Sequence, residues 1–151
     1  MRTERSTTRA AESYEVNEDS TVWTFHLREE AVWSDGTPVT SADFLNTMTR
    51  ALDPKSGSGY ANYLFPIRNA EAIYNGEMEI GELGVETPDD DTLIFYLEKP
   101  CVYFLDLLRL PVYTPSCSTY AKETGSGWDT DPKTSVSNGP FILQNMYRNS
   151  I

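Results

Sequence analysis

The side chains that could do chemistry are few, and their spacing limits what that chemistry could be. The only histidine is His26. It sits in Val22-Trp23-Thr24-Phe25-His26-Leu27-Arg28, where Trp23, Phe25 and Leu27 alternate with Thr24, His26 and Arg28. A nucleophile needs a base and a group that orients the base, and this lone imidazole reads instead as a polar-face strand residue. Cys101 and Cys117 form no Cys-x-x-Cys pair and read as free, partly buried thiols, so a sulfur–imidazole zinc site lacks ligands. Asp89, Asp90 and Asp91 are consecutive, so their carboxylates splay rather than converge and lack the alternating register of a calcium loop. A charged hairpin tip is the expectation there. No Gly-x-Ser-x-Gly elbow or phosphate-cradling loop followed by Lys-Ser or Lys-Thr occurs; Gly57-Ser58-Gly59 and Gly125-Ser126-Gly127 are loops. Paired carboxylates for glycoside hydrolysis are neither shown nor excluded by spacing alone.

The positive signal is aromatic: 3 Trp, 9 Tyr and 6 Phe in 151 residues. Tyrosine combines an apolar ring with a hydrogen-bonding tip, which suits adaptable recognition. Trp23, Phe25, Phe44, Phe95 and Phe104 read as core. Tyr60 and Tyr63 follow a Ser/Gly linker, where they either close over the core or meet a ligand.

Residues 1–11 read as a disordered polar tail, and 12–151 as the ordered part. Ser13-Tyr14-Glu15-Val16 and Val22 to Arg28 predict a hairpin across Asn17-Glu18-Asp19-Ser20. Trp33-Ser34-Asp35-Gly36-Thr37-Pro38 predicts an Asp-Gly turn with positive φ at Gly36. A helix is expected from Thr40, with Asp43 reaching back over its first turn, through the stripe Phe44, Leu45, Met48, Ala51 and Leu52 to Asp53-Pro54. Ile67, Ala70, Ile73 and Tyr74 predict a second helix ended by Gly76. Val85 and Thr87 suggest a strand, and Thr92 to Leu97, apolar on both faces, a more central one. Tyr103 to Arg109 reads as a short helix stopped by Pro111, Ser116 as the cap of a further helix through Lys122 to Gly125, Ser137-Asn138-Gly139-Pro140 as a turn and Phe141-Ile142-Leu143 as a last strand.

Twenty-three Asp and Glu against twelve Lys and Arg give a net charge of −11, so nucleic-acid backbone and anionic lipid would meet a surface of their own sign. The longest apolar stretch, Leu93 to Leu97, is a strand's length against the ~20 residues that span a bilayer, so membrane insertion is not expected. The basic opening Met1 to Arg9 is followed by no apolar stretch, so no export signal is read in these residues.

Trp23 to Arg28 followed by Trp33-Ser34-Asp35-Gly36-Thr37-Pro38-Val39-Thr40-Ser41-Ala42-Asp43-Phe44 resembles the signature segment of the bacterial extracellular solute-binding proteins, family 5, which serve oligopeptide and dipeptide ABC importers. Asp53-Pro54, Tyr60-Ala61-Asn62-Tyr63-Leu64, Leu83-Gly84-Val85, Asp90-Asp91-Thr92-Leu93, Tyr103-Phe104 and Ser137-Asn138-Gly139-Pro140-Phe141 follow in the family's order, over about residues 11–147. The resemblance implies an α+β fold, a mixed sheet flanked by short helices, like the small subdomain of lobe I of a type II periplasmic-binding-protein fold. Family members are several times longer, so the chain is expected to supply a partial lobe, the small subdomain plus the start of the next strand.

The same resemblance implies a non-catalytic peptide binder without cofactor, partnered by membrane permease subunits and located in the periplasm or at the cell surface. Tyr60 matches a tyrosine bordering the peptide site, and Leu110 a pocket position that can be polar in oligopeptide binders. Cys101 stands where the family often has proline. Two other readings remain. One is a carbohydrate-binding or glycoside-processing module with Trp33 and Trp128 as exposed stacking platforms; the other is a truncated gene product without an independent role.

Overall fold

The computed structural model describes residues 2–5, 10–117 and 135–139. Five strands, β1 (Arg2–Arg5), β2 (Ala11–Val16), β3 (Val22–Leu27), β4 (Val85–Glu86) and β5 (Thr92–Tyr96), form one sheet in the order β1-β2-β3-β5-β4. Every pairing among them is antiparallel, where a mixed sheet was expected. The reason lies in the connections. The turn at 17–20 joins β2 to β3, the acidic turn joins β4 to β5, and the long excursion between β3 and β4 returns the chain without a parallel crossover. The α+β class holds.

Alternation in β3 places Trp23, Phe25 and Leu27 in the core, and the register continues that face through Tyr14, Leu93, Phe95 and Val85. A register shift between Ala11 and Ser13 lets both Ala11 and Tyr14 point inward, although three residues apart on a regular strand would put them on opposite faces. β5 departs from the expectation of burial on both faces. Leu93, Phe95 and Leu97 are buried while Ile94 and Tyr96 are only half-buried, because the described helices pack on the Leu93–Phe95–Leu97 face. Residues 2–5, expected within a structureless tail, instead continue the sheet as an edge strand against β2. Main-chain pairing with an open edge does not need apolar side chains.

Three short helices cover the inner face: α1 (Ser41–Leu52), α2 (Ala70–Tyr74) and α3 (Phe104–Leu107). α1 begins as predicted, with the Asp43 carboxylate accepting from the Thr40 backbone N–H at 3.0 Å. Met48 and Leu52 are buried, and Phe44, Leu45 and Ala51 pack beside them. Gly76 ends α2 at φ 75°. Ile67, expected in that helix, lies before it and bridges to Leu97. α3 is shorter than expected and buries Phe104 against Trp23 and Phe95, at ring-centroid distances of 5.7 and 5.1 Å. The Trp33–Pro38 turn forms as predicted, with Gly36 at φ 87° and the Asp35 carboxylate accepting from the Thr37 N–H and hydroxyl at 2.9 and 2.7 Å. The expected helix after Ser116 and the strand at 141–143 lie outside the described residues.

Candidate ligand-binding surface

Two tight 3₁₀ turns carry the residues singled out from the sequence. Tyr60 leads into the turn Ala61–Leu64, and Leu110 leads into the turn Pro111–Tyr113. In the first, Ala61 and Leu64 are buried, which anchors the backbone and leaves Tyr60 and Tyr63 outside at 53% and 40% exposure. Their rings lie 6.1 Å apart with planes 30° from each other. In the second, Pro at the first position fixes φ, and Val112 and Tyr113 are buried while Leu110 is half-buried against the main core. The two turns pack together and are tied by one bond, the Tyr113 hydroxyl donating to the Tyr63 carbonyl at 2.8 Å. The structure therefore brings the segments of Tyr60 and Leu110 into one surface. Tyr113 had no local signal in the sequence, because its partner is fifty positions away.

Beneath that surface Tyr113 is held by an aromatic cluster. Tyr113 is 4% exposed and stacks edge-on with Phe104 and Phe95, at 5.9 and 6.4 Å. Burial pushes its phenol well above the ordinary tyrosine range, and the nearby Cys101 adds to the shift. The sign of the consequence is fixed. A folded-state pKa above the unfolded value gives stability that is whole below about pH 10 and declines as pH rises beyond it, by up to ~1.4 kcal/mol per pH unit. Urea unfolding at pH 9 to 11 is expected to show this slope in the parent chain, and Tyr113→Phe is expected to flatten it. An unchanged slope in the variant would assign the alkaline loss to other tyrosines.

Other candidates are placed elsewhere. Trp33 is 4% exposed, and its indole N–H donates to Asp43 at 3.0 Å, so it offers no open stacking platform. Trp128 lies outside the described residues. His26 is half-buried on the polar face of β3, and Asp89 to Asp91 are exposed in the turn before β5, as read from the sequence. The Asp89 carboxyl is held below its usual range, chiefly by a hydrogen bond from the Thr92 side chain. Cys101 and Cys117 are both buried and unpaired with each other. Among the described residues no three His, Cys, Asp or Glu side chains gather to hold a metal ion, and no helix is long and apolar enough to cross a membrane.

A partly open apolar groove of about 280 Å³ runs beneath the Pro111–Tyr113 turn, lined by Phe25, Leu27, Phe44, Leu93, Leu108 and Tyr113 among others. It lies just under the roughly 300–1,000 Å³ usual for ligand cavities, and its lining is mostly apolar, with Thr114 and Asn138 as its polar side chains.

Comparison with known proteins places the family and the fold. The family model for bacterial extracellular solute-binding proteins, family 5 Middle, matches residues 7–151. The periplasmic oligopeptide-binding protein OppA of Escherichia coli is 43% identical over 136 residues, which is 89% of this chain and 25% of that protein. The substrate-binding domain of an oligopeptide ABC transporter from Bacillus anthracis is 45% identical in solved form, with a TM-score of 0.86, covering 90% of this chain and 26% of that one. Haemophilus influenzae OppA in complex with the peptide RPPGFSPFR superimposes with a TM-score of 0.87 at 37% identity, over 93% of this chain and 28% of its own. The chain thus spans about a quarter of the length of the relatives it matches, and its fold corresponds to one portion of theirs.

Proposed function

The chain belongs to the bacterial extracellular solute-binding proteins, family 5, and from that membership we propose that it is part of the solute-binding component of an ABC importer for oligopeptides. It binds cargo and does not transform it. The observation that carries this reading is the exposed tyrosine surface on an anchored backbone, in a fold matched by oligopeptide-binding proteins. Tyr60 is the ligand-contacting ring, and Leu110 shapes the adjoining pocket. Leucine there favours an apolar over a charged ligand side chain, since a charge brought against it would lose hydration without a partner. In a two-lobed binder, contacts that exist only in the closed state hold the ligand, and this chain supplies one wall of such a cleft. By the same reading the partners are the importer's membrane permease subunits, and the location is the periplasm or cell surface, as for the periplasmic relatives.

Calorimetric titration of the 151-residue chain with mixed tri- to pentapeptides tests the reading. Binding is expected to be weaker than micromolar, and Tyr60→Ala is expected to weaken it by roughly tenfold, the usual size for losing a central aromatic contact. Sub-micromolar binding by this chain alone would contradict the single-wall arrangement. Equal binding by Tyr60→Ala would remove Tyr60 from the site.

A further inference from the structure

Tyr63 neighbours Tyr60 in space as well as in sequence, and neither ring is used by the core. The two stand 6.1 Å apart on one 3₁₀ turn whose apolar residues, Ala61 and Leu64, are 2% and 0% exposed. Anchoring of this kind removes most backbone freedom before any ligand arrives, so little ordering cost remains for the two rings on binding. The turn is further pinned by the Tyr113 hydroxyl, which grips the Tyr63 carbonyl from within the Phe95–Phe104 aromatic cluster. Without that hydroxyl the Tyr63 carbonyl would turn to water, and the plane of the adjoining peptide would be free to tilt.

We propose that Tyr63 is a specificity-determining ring of the ligand surface and Tyr113 its positioning residue, together favouring ligands that present an aromatic side chain beside Tyr60. The inference rests on the peptide-binding reading above. Two tilted rings offer a third ring both a face and an edge, the arrangements that aromatic groups prefer at centroid distances of about 4.5–7 Å. A methyl group in the same place gains neither. Leu110 adds apolar surface on the neighbouring turn, so the ligand ring meets hydrocarbon on that side as well.

NMR titration of the full chain with the tripeptides Ala-Phe-Ala and Ala-Ala-Ala tests this. The parent chain is expected to favour Ala-Phe-Ala by roughly three- to tenfold, the range that one aromatic contact supplies. Tyr63→Leu, which keeps apolar bulk, is expected to erase that preference by weakening Ala-Phe-Ala several-fold more than Ala-Ala-Ala. Tyr113→Phe keeps the core ring and removes only the hydroxyl; it is expected to lower the preference by roughly two- to threefold, as loosening of one contact implies. Unfolding midpoints measured alongside separate loss of preference from loss of fold. If Tyr63→Leu keeps the preference, or weakens both peptides equally, its specificity role is overturned and the peptide-binding reading stands. An unchanged preference in Tyr113→Phe overturns the positioning role. If the parent chain responds to neither peptide, both the inference and the reading beneath it fall.

Discussion

Asp43→Ala is expected to lower folding stability by about 3 kcal/mol, because one buried carboxylate accepts from both the Trp33 indole N–H and the Thr40 backbone N–H. Asp43 is 3% exposed, and its Oδ2 accepts from the Trp33 indole N–H and from the Thr40 backbone N–H, both at 3.0 Å. A hydrogen bond to an ionised acceptor is worth roughly 1.5–3 kcal/mol, and its loss leaves the buried Trp33 indole N–H unpaired. The carboxylate also lies in the first turn of α1, where the helix dipole favours negative charge. Asp43→Asn keeps an acceptor oxygen and loses the charge, so about half the cost is expected. Urea unfolding followed by tryptophan fluorescence measures both. A loss under about 0.5 kcal/mol for the alanine variant, the scale of an ordinary surface change, would contradict this account.

The consequence reaches the proposed ligand surface through packing. Trp33, Val39 and Cys117 form a small core of their own beside Phe44, and the Asp43 bond joins it to α1. α1 in turn packs on both the Ala61–Leu64 and Pro111–Tyr113 turns. Loosening its N-terminus loosens the floor on which Tyr60 and Leu110 stand.

Gly84→Ala is the second large effect, with an expected loss of roughly 2–4 kcal/mol, combining overpacking with disrupted main-chain bonds. A Cβ at this position would lie 2.7 Å from the Arg68 Cβ and 2.8 Å from the Tyr96 carbonyl oxygen. Neither can move freely. The Arg68 N–H donates to Tyr96 O at 2.8 Å, the Gly84 N–H to Arg68 O at 2.9 Å, and the Tyr96 N–H to Gly84 O at 2.8 Å. Room for the methyl is made only by stretching this three-way knot, which holds β4 and β5 to the segment before α2. Gly81→Ala is the control, since nothing lies within 4 Å of its Cβ position, and it is expected to change stability by less than ~0.5 kcal/mol. Thermal unfolding of the pair checks the contrast. Equal midpoints would mean the knot yields without cost.

Features set by neighbours in sequence were readable from the sequence, and features set by distant partners were not. The alternation in β3, the hairpin across Asn17 to Ser20, the Asp43 reach-back at α1 and the Gly76 helix end all depend on residues within five positions of each other. Ile67 has the spacing of a helix residue, yet its bridge to Leu97 draws it into the sheet's margin. The one-sided burial of β5 follows from where the helices lie, which the apolar run Leu93 to Leu97 cannot reveal. Arg2–Arg5 carries no apolar period, and only the open edge of β2 makes it a strand. At the proposed site, Tyr60 and Leu110 were singled out through family resemblance, and the Ser/Gly linker marked Tyr60 and Tyr63 as presentable. The tie from Tyr113 to Tyr63 was not legible because an isolated tyrosine gives no hint that its hydroxyl reaches another turn.

The most direct measurement maps where a peptide touches the chain. In an amide NMR titration with a tripeptide at millimolar concentration, signals of residues 60–64 and of Leu110 and Val112 are expected to move, while those of Leu27 and Leu93 deep in the apolar groove stay in place and the peptide is recovered intact. Movement centred on the groove, no movement at all, or cleavage of the peptide would contradict a one-walled, non-catalytic peptide site at Tyr60.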